Sequence, residues 1–127
     1  MKIAVSATEG SLDADVDLRF GRCPYYAIFE IEDKKIKNQE FIENTAGQEM
    51  RGAGITAAQM VANKKVEVVI TGNIGPNAFN VLSGIGIKII TGVSGNVKDA
   101  IEKYLKGELK ETQQAKPGFG IGKGGRL

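Results

Sequence analysis

An α/β domain with a mixed five-stranded sheet follows from three features of the sequence. Apolar residues at first recur at every second position, then near residue 53 change to helical spacing. Short apolar runs afterwards alternate with helical stretches, the pattern of βαβ units. Glycines stand at the junctions between them. The predicted order is β-β-β-α-β-α-β-α, an antiparallel meander followed by right-handed crossovers.

Residues 2–7 form the first strand. Residues 8–24 are a long connection in which Leu12, Ala14, Val16, Leu18 and Phe20 alternate with Asp13, Asp15, Asp17 and Arg19. That period of two predicts extended chain laid on apolar surface, with the aspartates solvated. The aspartates imitate part of a calcium loop, but the glycine and closing glutamate are missing at the required offsets. Tyr26–Ile31 is the second strand, Glu32-Asp33-Lys34 a turn, and Lys35–Ile42 a charged third strand suited to a sheet edge.

Ile55, Ala58, Gln59 and Ala62 place a helix over about 53–63, with small residues for close packing. Val66–Thr71 reads as a strand buried on both faces. Pro76 opens a short helix that Gly84 stops, and Ile87–Thr91 is the last strand. Val97, Ala100, Ile101, Tyr104 and Leu105 mark the final helix, capped by Asn96 and ended by Gly107. Residues 1–109 are thus one ligand-binding domain. Residues 110–127 carry five glycines and a net positive charge without apolar period, and are expected to be a flexible tail.

Composition narrows the function. A net charge of +2 with no basic stripe predicts no nucleic-acid partner. No apolar run reaches the length of a membrane span, and the first residues are too short a run for a secretory signal. The expected compartment is the cytoplasm, with the thiol reduced. A single cysteine excludes an intrachain disulfide and every multi-cysteine metal motif, and histidine is absent.

If only the second strand is reversed, the connections 7–24, 43–54, 72–76 and 92–96 emerge at one carboxyl edge, where open α/β sheets bind ligands. Three of them are glycine-rich and lead into helices: Arg51-Gly52-Ala53-Gly54, Gly72-Asn73-Ile74-Gly75 and Gly92-Val93-Ser94-Gly95. Glycines admit close approach, and free N–H groups at helix starts attract negative charge. The fourth brings Arg19, Arg22 and Cys23. The candidate site is therefore Arg19, Arg22, Cys23, Arg51, Gly52, Gly54, Gly72, Asn73, Gly75, Gly92, Ser94 and Gly95. Cys23 is its candidate metal ligand, as a thiolate favoured by the neighbouring cations. Each part has a plainer reading: glycines as turn residues, the cysteine as a small buried hydrophobe.

These same blocks, Arg19-Phe20-Gly21-Arg22-Cys23-Pro24-Tyr25-Tyr26, Glu43-Asn44-Thr45, Gly52-Ala53-Gly54-Ile55, Thr71 to Ala78 and Thr91-Gly92-Val93-Ser94-Gly95, resemble the dinitrogenase iron–molybdenum cofactor biosynthesis family. The resemblance covers about residues 1–109. It implies a ribonuclease-H-like fold and non-catalytic binding or carriage of a metal–sulfur cluster during cofactor assembly. Relatives include proteins that hold molybdenum–copper–sulfide clusters non-covalently. Where some members carry histidines, this sequence has Arg19 and Met50-Arg51, so the resemblance carries over the location of the site and not a ligand set.

The expected function is accordingly a carrier for an anionic metal–sulfur cluster, of Fe–Mo–S or Mo–Cu–S type, exchanging it with donor or acceptor assembly proteins. The alternative is a nucleotide or small-anion sensor using the same loops, although no Walker lysine follows any of them. A two-metal nuclease, which the fold alone would allow, needs converging carboxylates that the strands do not offer: Glu67 lies at the wrong end of its strand.

Overall fold

β1 (Lys2–Ala7), β2 (Tyr25–Glu32), β3 (Lys35–Glu43), α1 (Ala53–Asn63), β4 (Val68–Ile70), α2 (Pro76–Gly84), β5 (Lys88–Ile90) and α3 (Val97–Leu105) follow one another in the expected order. They come from a computed structural model that describes residues 1–46 and 52–112. The strands form one sheet in the order β3-β2-β1-β4-β5. β2 is antiparallel to both β1 and β3, whereas β4 runs parallel to β1 and β5 parallel to β4. Four strands therefore point one way and only β2 is reversed.

The alternation along the strands sorts the core into two layers. Ala4, Tyr26, Ile28, Val69 and Ile89 face α1 and α2, meeting Ala57, Ala58, Val61 and Leu82. Ile3, Val5, Phe29, Val68 and Ile70 face the other way, where Val97, Ala100 and Ile101 of α3 cover them. Two alanines in the middle of α1 bring that helix close to the sheet. β3 stays largely exposed, as its charges predict. The β2–β3 turn places Asp33 and Lys34 at φ 54° and 62°, the left-handed pair that a two-residue hairpin requires.

Element margins differ slightly from expectation. β2 and β3 gain a residue or two, and β4 spans three residues where six were predicted. The missing ends still bond to the sheet: Glu67 N–H donates to Lys2 O and Thr71 N–H to Ile90 O. Asn96 caps α3 as predicted, its side chain accepting from the Lys98 and Asp99 N–H groups, and Gly107 ends it at φ 76°.

The long connection 8–24 lies along the sheet edge through isolated bridges, Ala7 with Val16, Asp15 with Asn96 and Arg19 with Asn73. Its period of two breaks at Leu12, which is exposed, and again at residues 16–18. Val16 and Asp17 are both buried, and Leu18 is 67% exposed. Asp17 thus leaves the solvated face assigned to it by alternation. Beyond the expected domain end at 109, Thr112 N–H donates to Ile89 O at 2.6 Å and Thr91 N–H donates to Thr112 Oγ1 at 2.9 Å. The rest of the predicted tail, 113–127, falls outside the described residues. No helix among the described residues is long and apolar enough to cross a membrane.

Candidate functional site

The connections after β1, β3, β4 and β5 all leave the sheet at its carboxyl edge. They frame two hollows rather than the single site the sequence predicted.

The first, about 310 Å³, is lined by residues 20–22, 52–55 and 75–78. α1 and α2 begin here side by side. Gly52 precedes α1 at φ 72° and Gly75 precedes α2 in extended conformation; neither helix has a side-chain cap, and neither has an acidic residue in its first turn. The first helical bonds are Thr56 N–H to Gly52 O and Phe79 N–H to Gly75 O. Ahead of them lie the N–H groups of Ala53, Gly54, Ile55, Asn77 and Ala78, for which no acceptor is found among the described residues. Pro76 adds none, as suits the first turn. Two helix dipoles thus present their positive ends to one concavity. A Cβ on Gly52 or Gly75 would meet nothing within 4 Å, so glycine there leaves open space beside the N–H groups. Arg22, exposed, lines the same hollow.

The N-terminus of α3 makes the contrast. Asn96 caps it and Asp99 sits in its first turn, so its donors and dipole are already answered.

The second hollow, about 450 Å³, is lined by Thr8, Asp15 to Arg19, and Gly95. Here the buried Asp17 carboxylate accepts from the Arg19 backbone N–H at 2.8 Å and from Arg19 Nε at 3.3 Å. The Ser6 hydroxyl donates to Asp17 O at 2.8 Å and lies 2.7 Å from that of Thr71. This buried polar cluster escaped the sequence reading. Its one visible signal was an aspartate two residues before Arg19, the spacing of an Asx turn.

A ridge separates the hollows. Residues 17–20 run against 72–73, with Gly72 N–H donating to Asp17 O and Phe20 N–H to Asn73 O. Gly72 is glycine for packing: a Cβ there would lie 2.6 Å from Leu18 Cα. Of the predicted site residues, Arg22, Gly52, Gly54 and Gly75 meet in the first hollow, and Arg19 and Gly95 line the second. Gly72, Asn73, Gly92 and Ser94 line neither; Gly92 turns the chain at φ 77° and donates its N–H to Gly72 O. Arg51 lies outside the described residues.

Cys23 requires the clearest correction. It is 1% exposed and sits in the core beside Phe20 and Tyr26, its Sγ donating to Phe20 O at 3.4 Å. Burial pushes the thiol up to about 11, with Asp17 adding to the rise, so the arginine neighbours do not make it a thiolate. Pro24 and the start of β2 turn this residue inward, away from both hollows. The Tyr26 hydroxyl, also raised by burial, donates to the same Phe20 carbonyl. Asn44 ties the loop down from β3, its Nδ2 donating to Gly21 O at 3.1 Å and Cys23 O at 2.8 Å. These contacts fix Phe20 to Arg22 as one wall of the first hollow.

Arg19 is likewise less available than predicted, because Asp17 holds its guanidinium. Among the described residues, no group of three or more cysteine, aspartate and glutamate side chains is placed to hold a metal ion. What the first hollow offers is backbone donors beside one arginine, Arg22.

A protein built this way, on a mixed five-stranded sheet with two helix N-termini side by side at its carboxyl edge, belongs to the class of small α/β domains. More particularly, the chain is a member of the dinitrogenase iron–molybdenum cofactor family, whose sequence profile matches residues 1–107. It is 39% identical over 113 residues to an uncharacterized protein of Methanocaldococcus jannaschii, covering 89% of this chain and 92% of that one. The apo form of the orange protein from Desulfovibrio gigas has a similar structure, with a TM-score of 0.82 and 32% identity over 89% of this chain and 93% of the other. A NifB-like Thermotoga protein solved by NMR gives a TM-score of 0.74 and 33% identity, over 87% and 91% of the two chains.

Proposed function

We propose that this protein is a non-catalytic carrier that receives an anionic metal–sulfur cluster in the first hollow and exchanges it with assembly proteins in the cytoplasm. The observation that carries this reading is the pairing of two helix N-termini, each without a side-chain cap or an acidic residue in its first turn, around a space of about 310 Å³. Terminal sulfides of an Fe–Mo–S or Mo–Cu–S cluster are anionic acceptors, and five converging N–H groups with Arg22 can hold them without a covalent bond to metal. Such a grip suits cargo that must be released. The non-catalytic part rests on the side chains of the lining, which are glycines, small or apolar residues, Asn77 and Arg22, with no carboxylate, thiol or imidazole to shuttle protons among the described residues. Family membership and the likeness to an apo-form structure support the cluster as cargo. The strand order β3-β2-β1-β4-β5 with β2 alone reversed supports the ribonuclease-H-like description of the fold.

The second reading, a nucleotide or small-anion sensor, draws on the same two N-termini, because phosphate meets the same donors. Anaerobic reconstitution with thiomolybdate and copper, or with iron, molybdate and sulfide, separates the two. Stoichiometric metal and sulfide retained through gel filtration, with a charge-transfer band lost in Arg22→Glu and kept in Cys23→Ala, is the expected result. Absence of retained metal together with saturable nucleotide binding would transfer the site to the sensor reading.

A further inference from the structure

β3 ends the sheet, and among the described residues no chain pairs with its outer side. Such an edge is a row of unpaired donors and acceptors, which proteins either blunt or use. The two halves of β3 differ in this respect. The first half is blunted: Lys35 and Lys37 are charged, Glu32 holds Lys37, and the register with β2 shifts between Glu30 and Ile31. The second half, Gln39 to Glu43, pairs with β2 without a break.

The ladder decides which backbone groups of that half face outward. Ile31 N–H donates to Met1 O at 2.7 Å, and the Met1 amino group donates to Ile31 O at 3.2 Å. Alternation then turns the backbone groups of Tyr25, Ala27 and Phe29 towards β1, and those of Tyr26, Ile28 and Glu30 towards β3. Their opposite residues Ile42, Glu40 and Asn38 therefore bond inward. Asn44 N–H, donating to Pro24 O at 2.9 Å, continues the same set. Gln39, Phe41 and Glu43 are left facing outward. Gln39 shows it directly, because its N–H bonds to the Asn38 side chain at 2.9 Å and not to β2. Phe41 and Ile42 each pack against one of the two core layers and stay half-buried at this edge.

We propose that a second copy of the chain occupies this edge, paired antiparallel about a two-fold axis at Phe41. In that register every outward-facing residue meets another: Phe41 meets the copy's Phe41, and Gln39 meets the copy's Glu43. A slip of two residues in either direction leaves one of the three without a partner. The slip towards the hairpin also sets Glu40 against the copy's Glu40, a like-charge pair. At the axis itself the two phenylalanines cover each other, and beside them an amide faces a carboxylate. A peptide from another protein would have to bring this pattern, whereas a second copy brings it by symmetry. The paired stretch is short, so the dimer is a weak one. Because β3 and its copy run in opposite directions, the two carboxyl edges point opposite ways and both cargo hollows stay open. The pairing concerns the edge alone and stands independently of the cluster reading.

Sedimentation equilibrium of the full chain should give the monomer mass at micromolar protein and rise towards twice that mass at millimolar protein. Position 41 faces its own copy, so Phe41→Lys and Phe41→Glu should each stay monomeric, and an equimolar mixture of the two should associate. Urea unfolding establishes that each variant is folded. An uncharged variant gives a second measurement: Phe41→Cys should cross-link to itself under oxidised glutathione, Cys23 being buried. Residues facing each other in a hydrogen-bonded pair stand about 5.5 Å apart at Cα, within disulfide reach. Asn38→Cys should not cross-link, since its two copies would be about 20 Å apart along the strands. If a charged variant does not fold, the cross-link decides alone. Association retained in Phe41→Lys, a folded mixture that does not associate, or equal cross-linking at 38 and 41 would overturn the proposal. So would a monomer mass up to millimolar protein, which would leave the edge to an extended segment of another protein.

Discussion

Gly21 and Gly54 press backbone against backbone: a Cβ on Gly21 would lie 3.0 Å from Gly54 Cα and 3.1 Å from its nitrogen. This contact sets the width of the first hollow, because Gly21 belongs to one wall and Gly54 to the first turn of α1. Gly21→Ala should therefore force the wall away from the helix. We expect a loss of about 1–3 kcal/mol in urea unfolding, the usual range for overpacking, with weaker retention of cargo. Gly84→Ala is the control. Its Cβ meets open space at the last residue of α2, and it should stabilise by up to about 0.5 kcal/mol.

Gly72→Ala should be harsher than either. Its Cβ would stand 2.6 Å from Leu18 Cα, a backbone atom that cannot swing aside. The ridge of residues 17–20 would have to lift, straining the bonds from Gly72 N–H to Asp17 O and Phe20 N–H to Asn73 O. A fall of at least about 2–3 kcal/mol in unfolding free energy is expected. A variant as stable as the parent would mean that the ridge is not packed as described.

Cys23 gives a pH prediction. The folded thiol titrates near 11 against an ordinary 9.0, chiefly through burial. The neutral form is the one that fits the core, so the folded state holds its proton more tightly than the unfolded chain. That stabilisation is complete below about pH 9 and is lost as pH rises through 11, worth roughly 2–3 kcal/mol for a shift of this size. Urea midpoints measured from pH 8 to 11 should fall, and less steeply in Cys23→Ala. At pH 8 a thiol reagent should react with Cys23 only after denaturant is added.

The contrast between Cys23 and the rest of the site shows what the sequence could reveal. Periods of two and of 3.6 located all eight elements, and Asn96 and Gly107 marked the ends of α3, because capping and burial patterns are local. The carboxyl edge was legible from topology, and Arg22, Gly52, Gly54 and Gly75 do meet there. The division into two hollows was not legible. It depends on residues 17–20 crossing to 72–73, a contact between segments more than fifty positions apart. Asp17 was misplaced for a related reason: one turn that buries Val16 and Asp17 together interrupts the alternation, and no periodicity reports its own interruption. Cys23 was misread because its arginine neighbours are close in sequence while its side chain points into the core beside Tyr26.

The buried hydroxyl above the core can be tested separately. Tyr26 and Cys23 both donate to Phe20 O, so Tyr26→Phe leaves that carbonyl with the weak thiol donor alone. A cost of about 1–2 kcal/mol is expected for a buried acceptor losing its main partner. Because Phe20 lines the first hollow, cargo release should quicken as well.

Gly75→Asp separates binding from stability. Gly75 sits at φ −78° and ψ 166°, a conformation any residue adopts, and its Cβ would enter open space. An aspartate there caps α2 by accepting from the N–H groups at its start, and its charge complements the helix dipole. The protein should therefore unfold at the same or slightly higher denaturant, by a few tenths of a kcal/mol. The same carboxylate occupies donors that the cargo would use and puts a negative charge into the hollow. Retention of an anionic cluster should fall at least about tenfold, the equivalent of one charge-assisted hydrogen bond. Because the fold is preserved, lost retention would locate the anion at the α1–α2 N-termini. Unchanged retention in a protein stabilised by the new cap would place the cargo elsewhere, and the reading of the first hollow would fail without any question of misfolding.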